Sequence, residues 1–288
     1  MFFAGLDIGS TITKIVIKTE DEIWTSVIRP TGAEHRRLAH KLMEEALQKA
    51  NLTFGQLDYI IATGYGRINV PFADRQVTEI SCHMRGINWF FPGVKTIIDI
   101  GGQDCKGIKV NNGKLVNFVM NDKCAAGTGR FLEVISEALG VKVEEIGDIS
   151  LRSTNPAKIS SLCTVFAEQE ALLRLSEGVS IEDILAGIHR GIATRIYSMV
   201  ERINIEKEVA LTGGGVKNVG LRKALEERIG FPAVVPPEPL ITGALGAALF
   251  AQEYVGRIDK KELETRKKER RLEAVTFFGE GPTRGQNG

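Results

Sequence analysis

The sequence predicts an α/β protein built from two similar halves with a cleft between them. Two short β-branched runs, residues 2–8 and 14–18, flank the turn Gly9-Ser10-Thr11, a pattern typical of a β-hairpin. The segment Leu6-Asp7-Ile8-Gly9 recurs as Ile98-Asp99-Ile100-Gly101, and each copy precedes a polar turn and a strand that contains a lysine. An internal repeat of this kind indicates a duplicated architecture.

Hydrophobic periodicity predicts the remaining elements. The spacing of apolar residues favours helices at 38–50 and 242–254, strands at 57–62, 94–100, 107–110, 115–120 and 208–211, and a mainly helical region between 125 and 205. We therefore expect a first half at residues 1–90, a second half at 91–256 with a helical region at about 121–205, and a charged extension at 257–288. Residues 257–271 carry eight basic and four acidic side chains, which favours a solvated helix, with a docking arm as the alternative.

Length and composition limit the classes of function. The chain has 288 residues, 43% of them apolar, which is enough for full hydrophobic cores. The formal net charge of +1 gives no overall attraction to nucleic acid or to an anionic membrane, and neither is expected as a partner. The sequence shows no secretion signal, and its four cysteines favour a cytoplasmic location, where thiols are metal ligands or buried groups more often than disulfides.

Three glycine-containing loops have the chemistry of a nucleotide site. In the first loop, Gly9 lets the backbone approach a phosphate, Ser10 and Thr11 offer hydrogen-bond donors, and Lys14 offers a positive charge. Asp7 cannot bind a phosphate directly, so we expect it to face a Mg²⁺ ion through water.

The other two loops follow strands of the second half. Asp99, Gly101 and Gly102 repeat the phosphate and Mg²⁺ chemistry, while Gln103 and Asp104 are the catalytic candidates that would orient the attacking water. The third loop offers bare backbone to an adenosine, through residues Gly213, Gly214, Gly215 and Asn218. Each loop alone is more often a plain turn, whereas the three in this order indicate a nucleotide cleft.

The sequence contains neither a P-loop nor a G-x-G-x-x-G segment that opens a helix after the first strand. The ordered set of loops instead resembles the phosphate-1, phosphate-2 and adenosine motifs of the sugar kinase, Hsp70 and actin superfamily. This resemblance implies a duplicated actin-like (ribonuclease H-like) ATPase fold, with two subdomains around a cleft for ATP or ADP and Mg²⁺. The superfamily includes ATPases, kinases and filament proteins, so the fold alone does not define the function.

Two of the four cysteines have the features of metal ligands. Cys124 and Cys163 each immediately precede a helical pattern, where free amides and the helix dipole stabilise a thiolate. Two cysteines do not complete a four-thiolate iron–sulfur site, but a twofold axis between two copies would supply the other pair, so a bridging cluster predicts a homodimer. The alternative is that both are small buried residues at helix ends. Cys82 fits a core thiol, and Cys105 has no matching partner.

These features together resemble the activators of 2-hydroxyacyl-CoA dehydratases, the BadF/BadG/BcrA/BcrD-type ATPases that include the ATPase subunits of benzoyl-CoA reductase. The shared motifs extend to about Tyr254 and lie at residues 7–14, 62–67, 79–83, 98–104, 121–132, 160–168, 187–190, 212–214 and 243–248. The resemblance implies that Cys124 and Cys163 hold one [4Fe-4S] cluster per homodimer, and that ATP hydrolysis is coupled to electron transfer.

The same resemblance implies the partners. Ferredoxin or flavodoxin would supply the electron, and a cysteine-rich iron–sulfur dehydratase or reductase, or a double-cubane cluster protein, would receive it. Two alternatives to this oxygen-sensitive ATPase stay open. One is a small-molecule kinase of the same superfamily, and the other is a nucleotide- and redox-responsive regulator.

Other polar residues have simpler interpretations. We expect His83 and His189 to be hydrogen-bonded core histidines rather than metal ligands, because each stands alone beside apolar residues. Asn121, Asp122 and Lys123 are expected to form a turn before a helix, with a polar rim around the cluster as the alternative.

Overall fold

The computed structural model describes residues 1–160 and 163–272, which form two β-sheets with helices packed on them. The strands are β1 (Phe3–Ile8), β2 (Ile12–Lys18), β3 (Ile23–Pro30), β4 (Tyr59–Thr63), β5 (Arg75–Gln76), β6 (Thr96–Ile100), β7 (Cys105–Asn111), β8 (Lys114–Asn121) and β9 (Val209–Thr212). The helices are α1 (His35–Ala50), α2 (Glu79–Phe90), α3 (Gly129–Ala138), α4 (Ile146–Ser150), α5 (Thr164–Ser176), α6 (Ile181–Val200), α7 (Val219–Ile229), α8 (Thr242–Val255) and α9 (Lys260–Glu269). Within these described ranges, no helix is both long enough and apolar enough to cross a membrane.

The two sheets repeat one topology. Their strand orders are β3-β2-β1-β4-β5 and β8-β7-β6-β9. In the first sheet β1 pairs antiparallel with β2 and parallel with β4, and in the second β6 pairs antiparallel with β7 and parallel with β9. Every residue of β1 and β6 is buried, which explains why both strands are mostly apolar. The exceptions include Asp7 and Asp99, which are buried near the end of each strand. The predicted hairpins and the predicted duplication are confirmed.

In each half, a glycine in the left-handed backbone conformation follows the strand that pairs in parallel, which is β4 in the first half and β9 in the second. Gly64 has φ +86° and Gly213 has φ +87°, a region that favours glycine. A Cβ at Gly213 would lie 2.6 Å from Asp99 Oδ1, and a Cβ at Gly64 would overlap Asp7 Oδ1. In both halves the glycine therefore lets a turn of the chain lie directly against the aspartate of the neighbouring strand.

Helices α2 and α8 cross between the two sheets. Helix α2 packs with the second sheet, whereas α8 packs on the first. At the crossing the backbones touch, because a Cβ at Gly86 would overlap the carbonyl oxygen of Thr242, and a Cβ at Gly246 would overlap that of Cys82. The expected boundary between residues 90 and 91 would assign α2 to the first half, although this helix packs on the sheet of the second half. The division into two halves at this boundary stays a prediction.

The structure adds four elements that hydrophobic periodicity did not predict: β3, β5, α2 and α7. Strand β3 is only partly buried, so its apolar alternation is weak. Helix α7 is highly charged, and its ends are defined by local hydrogen bonds instead. Asn218 Oδ1 accepts a hydrogen bond from Leu221 N at 2.8 Å, and Gly230 with φ +90° ends the helix.

The charged extension is more closely attached than a solvated helix. The side chains of α9 are not buried, as expected, but Lys267 Nζ lies 3.0 Å from Asp58 Oδ1. Directly after α9, the buried Arg270 places its Nη1 at 2.6 Å from Asp74 Oδ2. The extension therefore docks on the first half of its own chain, and residues 273–288 lie outside the described ranges.

A buried histidine joins three helices of the second half. His189 on α6 has its Nδ1 2.9 Å from Ser150 Oγ and its Nε2 3.1 Å from Asn218 Nδ2. Ser150 Oγ donates to Gly147 O, so it accepts from His189, while the Asn218 amide donates to Nε2. The ring is therefore neutral, and burial lowers the pKa of His189 to about 4. The prediction of a hydrogen-bonded core histidine is confirmed.

The helix crossing should tolerate no side chain at Gly246. We expect Gly246→Ala to lower the free energy of unfolding by about 1–3 kcal/mol or more, because the added methyl group overlaps a backbone oxygen that cannot move freely. Gly256→Ala is the matched control: at the end of the same helix its Cβ would lie 3.6 Å from the nearest atom, so stability should not fall. Urea unfolding measures both, and equal stabilities would contradict the close crossing.

Acid should destabilise the fold through His189. The ordinary pKa of 6.5 applies to the unfolded chain and a pKa of about 4 to the folded one, so stability present above pH 6.5 is lost as the pH falls toward 4. Between about pH 7.5 and about pH 5 this group should remove about 2 kcal/mol of unfolding free energy. His189→Gln, which cannot titrate, should lose less in urea unfolding at the two pH values, and an equal loss would contradict a neutral buried imidazole.

Candidate active site

A cavity of about 420 Å³ opens between the two sheets. Most of the residues predicted from the three glycine loops line it together: Asp7, Gly9, Ser10, Thr11, Lys14, Asp99, Gly101, Gly102, Asp104, Gly213, Gly214, Gly215 and Asn218. The loops are separated in sequence but line one cavity, because β1 of the first sheet and the neighbouring strands β6 and β9 of the second sheet all end beside it. Their individual contacts with a nucleotide stay predictions.

An aspartate and a lysine face each other across a strand ladder in each half. Asp7 is opposite Lys14 and Asp99 is opposite Lys106, and in both pairs the lysine Nζ lies 3.1 Å from an aspartate Oδ2. Lys106 was not among the site residues expected from the sequence. The internal repeat could have identified it, because Lys106 stands at the position of Lys14 in the second copy.

The two lysines have different surroundings. Lys106 is buried and also approaches Asp104 Oδ2 at 2.9 Å and Glu79 Oε1 at 3.6 Å. Burial opposes its charge, but Asp99, Asp104 and Glu79 outweigh burial and raise the pKa of Lys106 above its ordinary value. Burial likewise opposes the charge of Asp99, and the attraction of His83 and Lys106 lowers the pKa of this carboxyl. Lys106 is therefore a structural cation.

Lys14 is the cation better placed for a phosphate. Its ion pair in the described part of the chain is with Asp7 alone, and its side chain is 13% exposed at the cavity, against 3% for Lys106. Lys14 therefore keeps more attraction for a further anion than Lys106, because one carboxylate lies beside it and three lie beside Lys106.

The two residues expected to orient water differ in position. Gln103 is exposed and is not among the residues that line the cavity, because the turn closed by Gly101 N and Asp104 O at 2.9 Å places it on the outside. Asp104 does line the cavity, but its carboxylate is paired with Lys106. This geometry does not favour Gln103 as a catalytic residue, and it gives Asp104 a role in holding Lys106.

Asn218 has a structural role in addition to its place at the cavity. Its side chain caps α7 and contacts His189, so both ends of the amide are occupied by protein groups. A contact between this amide and an adenosine would need one of these bonds to break. The apolar residues that line the cavity include Leu132, Val143 and Leu240, none of which was expected from the sequence.

Cys124 lies in an exposed loop between β8 and α3. The prediction that it immediately precedes a helix is wrong: α3 begins at Gly129 with Thr128 as its N-cap. The left-handed Gly127, with φ +89°, keeps the intervening residues out of the helix. Asn121 Nδ2 donates to Cys124 O at 2.8 Å and to Ala126 O at 3.0 Å, which supports the turn interpretation of Asn121.

The start of α3 is bonded directly to the second glycine loop. Gly129 N donates to Gly101 O at 2.9 Å, and Arg130 N donates to Gly102 O at 2.8 Å. These are two of the amides at a helix start that have no partner within the helix. The loop at Gly101 and Gly102 is therefore connected through the start of α3 to the segment that carries Cys124.

Cys163 is the N-cap residue of α5, as predicted from its position before a helical pattern, and it is exposed. Val165 and Phe166 follow it and are 63% and 67% exposed. Cys82 and Cys105 are buried instead, and burial raises the pKa of both thiols, that of Cys82 to about 12. Exposure thus separates the two predicted ligands from the two other cysteines.

Known proteins resemble this chain over most of its length. It matches the BadF/BadG/BcrA/BcrD ATPase family over residues 4–251. It is 47% identical over 253 residues to the 2-hydroxyisocaproyl-CoA dehydratase activator of Clostridioides difficile, covering 87% of this chain and 95% of that protein. It is 44% identical over 259 residues to the (R)-2-hydroxyglutaryl-CoA dehydratase activating ATPase of Acidaminococcus fermentans, covering 89% of this chain and 99% of that one.

A solved structure extends the similarity to the fold. The activator of the 2-hydroxyisocaproyl-CoA dehydratase from Clostridium difficile with bound ADPNP has a TM-score of 0.84 at 44% identity, covering 96% of this chain and 100% of that chain. The duplicated actin-like ATPase fold predicted from the three loops is confirmed by the repeated sheet topology and by this likeness. The chain belongs to the BadF/BadG/BcrA/BcrD ATPase family.

Proposed function

We propose that this chain is an ATP-hydrolysing activator that shares one [4Fe-4S] cluster between two copies of itself and passes an electron to a partner iron–sulfur enzyme. The observation that carries the proposal is the pair of hydrogen bonds from the start of α3 to Gly101 and Gly102, because it links a nucleotide loop to an exposed cysteine segment. Family membership and the ADPNP-bound relative support the nucleotide part.

In the cleft, the first two glycine loops bind the phosphates. Ser10 and Thr11 offer backbone amides and hydroxyl groups, and Lys14 offers charge. Gly9 contributes the absence of a side chain, since its own amide donates to Ile12 O at 3.2 Å. Among the described residues, no group of three or more histidine, cysteine or acidic side chains could bind a metal by itself, and Asp7 and Asp99 are each paired with a lysine. This fits a Mg²⁺ ion held by phosphates and water, with Asp7 and Asp99 bonding its water ligands.

The thiols fit a cluster shared between two chains. Each copy offers two exposed cysteines, Cys124 and Cys163, and four thiolates are needed for a cubane. When bound, the cluster supplies a store for one electron. The exposed Val165 and Phe166 beside Cys163 give the second copy an apolar surface to bury, which supports a homodimer at this end of the molecule.

The partners follow from the relatives. Proteins with this fold and 44–47% identity are named as activators of 2-hydroxyacyl-CoA dehydratases, so a cysteine-rich dehydratase or reductase, or a double-cubane cluster protein, is the proposed acceptor, with ferredoxin or flavodoxin as the donor. Membership in this ATPase family favours the activator over a small-molecule kinase. A nucleotide- and redox-responsive regulator differs from it by passing no electron onward.

The four thiols should contribute unequally to iron binding. Anaerobically purified wild-type protein should contain about four iron atoms per dimer, and Cys124→Ala or Cys163→Ala should lose nearly all of this iron because each change removes two of the four ligands. Cys82→Ala and Cys105→Ala are matched controls that should retain it, since both side chains are buried. Iron retained without Cys124 or Cys163, or lost only without Cys82 or Cys105, would overturn the ligand assignment.

Nucleotide state should change the reactivity of Cys124. In cluster-free protein, we expect the iodoacetamide labelling rate of Cys124, measured by peptide mass spectrometry, to differ several-fold between ADP and ADPNP, because Gly101 and Gly102 hold the start of α3. Gly129→Pro should abolish the difference, since proline has no N–H to donate to Gly101 O and its ring would displace that oxygen.

The matched control for this experiment is Gly129→Ala. Alanine keeps the backbone N–H that donates to Gly101 O. Its Cβ would lie 3.3 Å from that oxygen, which is a close contact that leaves the hydrogen bond in place. It should preserve the nucleotide effect, with ADPNP binding measured separately in both variants. The same labelling rate in the two nucleotide states of the wild-type protein would remove the proposed coupling.

A further inference from the structure

A second, smaller cavity lies beside the loop that carries Cys124. Its volume is about 170 Å³, against about 420 Å³ for the cleft. Asn121 and Gly127, which flank Cys124 in the sequence, form one wall, and another wall comes from α6 and the 3₁₀ turn at residues 201–203 that continues it. With less than half the volume of the cleft, this cavity suits a small molecule or a single side chain.

The second cavity carries positive charge that is not balanced. Of the described residues, Arg195 and Arg202 line it, and no aspartate or glutamate does. Within residues 1–160 and 163–272, neither of these arginines makes an ion pair or a side-chain hydrogen bond. By comparison, Arg130 on α3 is paired with Glu133 at 2.9 Å. The two guanidinium groups at the cavity are therefore available to an anionic ligand.

The helical spacing places the polar groups of this cavity on one face. Arg195 and Arg202 are seven positions apart, which is close to two helical turns, and Ser198 lies between them on the same face. The stem of Arg195 also packs beside the loop, since a Cβ on Gly127 would lie 3.6 Å from Arg195 Cγ. A ligand bound by these side chains therefore lies between α6 and the loop of Cys124.

We propose that this cavity binds a carboxylate group, which belongs either to a small dicarboxylic acid or to an acidic side chain of a docking protein. Guanidinium groups form paired, charge-assisted hydrogen bonds with carboxylates, and the hydroxyl of Ser198 is a further donor. Met120 and Met199 line the same cavity with apolar atoms, which suit the carbon stem of a carboxylic acid better than an inorganic anion. The inference goes beyond the proposed function, because the described lining residues belong to none of the three glycine loops.

The site is connected directly to Cys124. Asn121 lines the cavity, and its Nδ2 donates to Cys124 O at 2.8 Å and to Ala126 O at 3.0 Å. The wall of the cavity and the backbone of the cysteine are therefore one hydrogen-bonded unit. A bound carboxylate holds this unit against α6, which packs in the core of the second half. Where the carboxylate belongs to a protein, that protein docks beside an exposed thiol.

Calorimetric titration of the anaerobically purified protein tests the site with two probes, malonate and a hexaglutamate peptide, at an ionic strength held constant with sodium chloride. We expect saturable binding of malonate, with one molecule per chain. Arg195→Gln and Arg202→Gln should each weaken binding by about tenfold or more, because each loses charge-assisted hydrogen bonds. Arg190→Gln is the matched control: it makes the same change of charge on the same helix, but its exposed side chain lies outside the cavity, so binding should not change.

The two probes distinguish the sources of the carboxylate. If hexaglutamate binds more tightly than malonate and both cavity variants weaken it, the site takes an acidic segment of a protein, whereas the reverse order indicates a free dicarboxylic acid. The absence of saturable binding, or equal binding by the wild-type protein and both cavity variants, would overturn the site. An equal loss in Arg190→Gln would reveal only general charge attraction and would overturn it as well. These titrations involve neither ATP nor electron transfer, so their failure leaves the proposed function to its own test by iron content.

Discussion

The backbone contact between α2 and α8 is the constraint on which the rest of the molecule depends. Each helix packs on one sheet, and they touch where Gly86 and Gly246 have no side chains. The crossing holds the two sheets at a short and fixed separation on one side, and it brings Thr242 to His83. The close backbone contact resists any change in this separation, because interiors at this packing density resist compression.

The duplication gives each half an aspartate and a lysine at equivalent strand positions, but the surroundings of the two lysines differ. Lys14 and Lys106 occupy equivalent ladder positions, yet three carboxylates surround Lys106 and one contacts Lys14. The surplus of negative charge lies on the side of the second sheet, and the less neutralised cation lies on the side of the first. In the proposed function, a phosphate chain with its Mg²⁺ would complement this arrangement, with the anion towards Lys14 and the metal towards the carboxylates.

The sequence contained enough information for the repeated hairpins and for the three loops, because these are local patterns and the repeat shows their relation. Residues that depend on distant packing were not predictable in this way. The position of Lys106 at the site depends on its register opposite Asp99, which only the folded sheet shows. The outward direction of Gln103 depends on the tight turn between Gly101 and Asp104, which its residue type does not predict. The exchange of α2 and α8 between sheets has no local signal, since both helices have apolar faces and the choice of sheet is made by the whole fold.

The two exposed thiols differ in how they are connected to the cleft. The segment with Cys124 is held at both ends by one short stretch of chain: Asn121 pairs with Cys105, and Gly129 with Gly101. In the proposed function, a shift of this stretch on nucleotide binding would move both ends of the segment. Cys163 begins a helix whose neighbouring Ser160 bonds to Glu170 of that same helix, so its position follows α5. Nucleotide-driven change at a shared site would then come mainly from Cys124, with Cys163 as the fixed ligand of each pair.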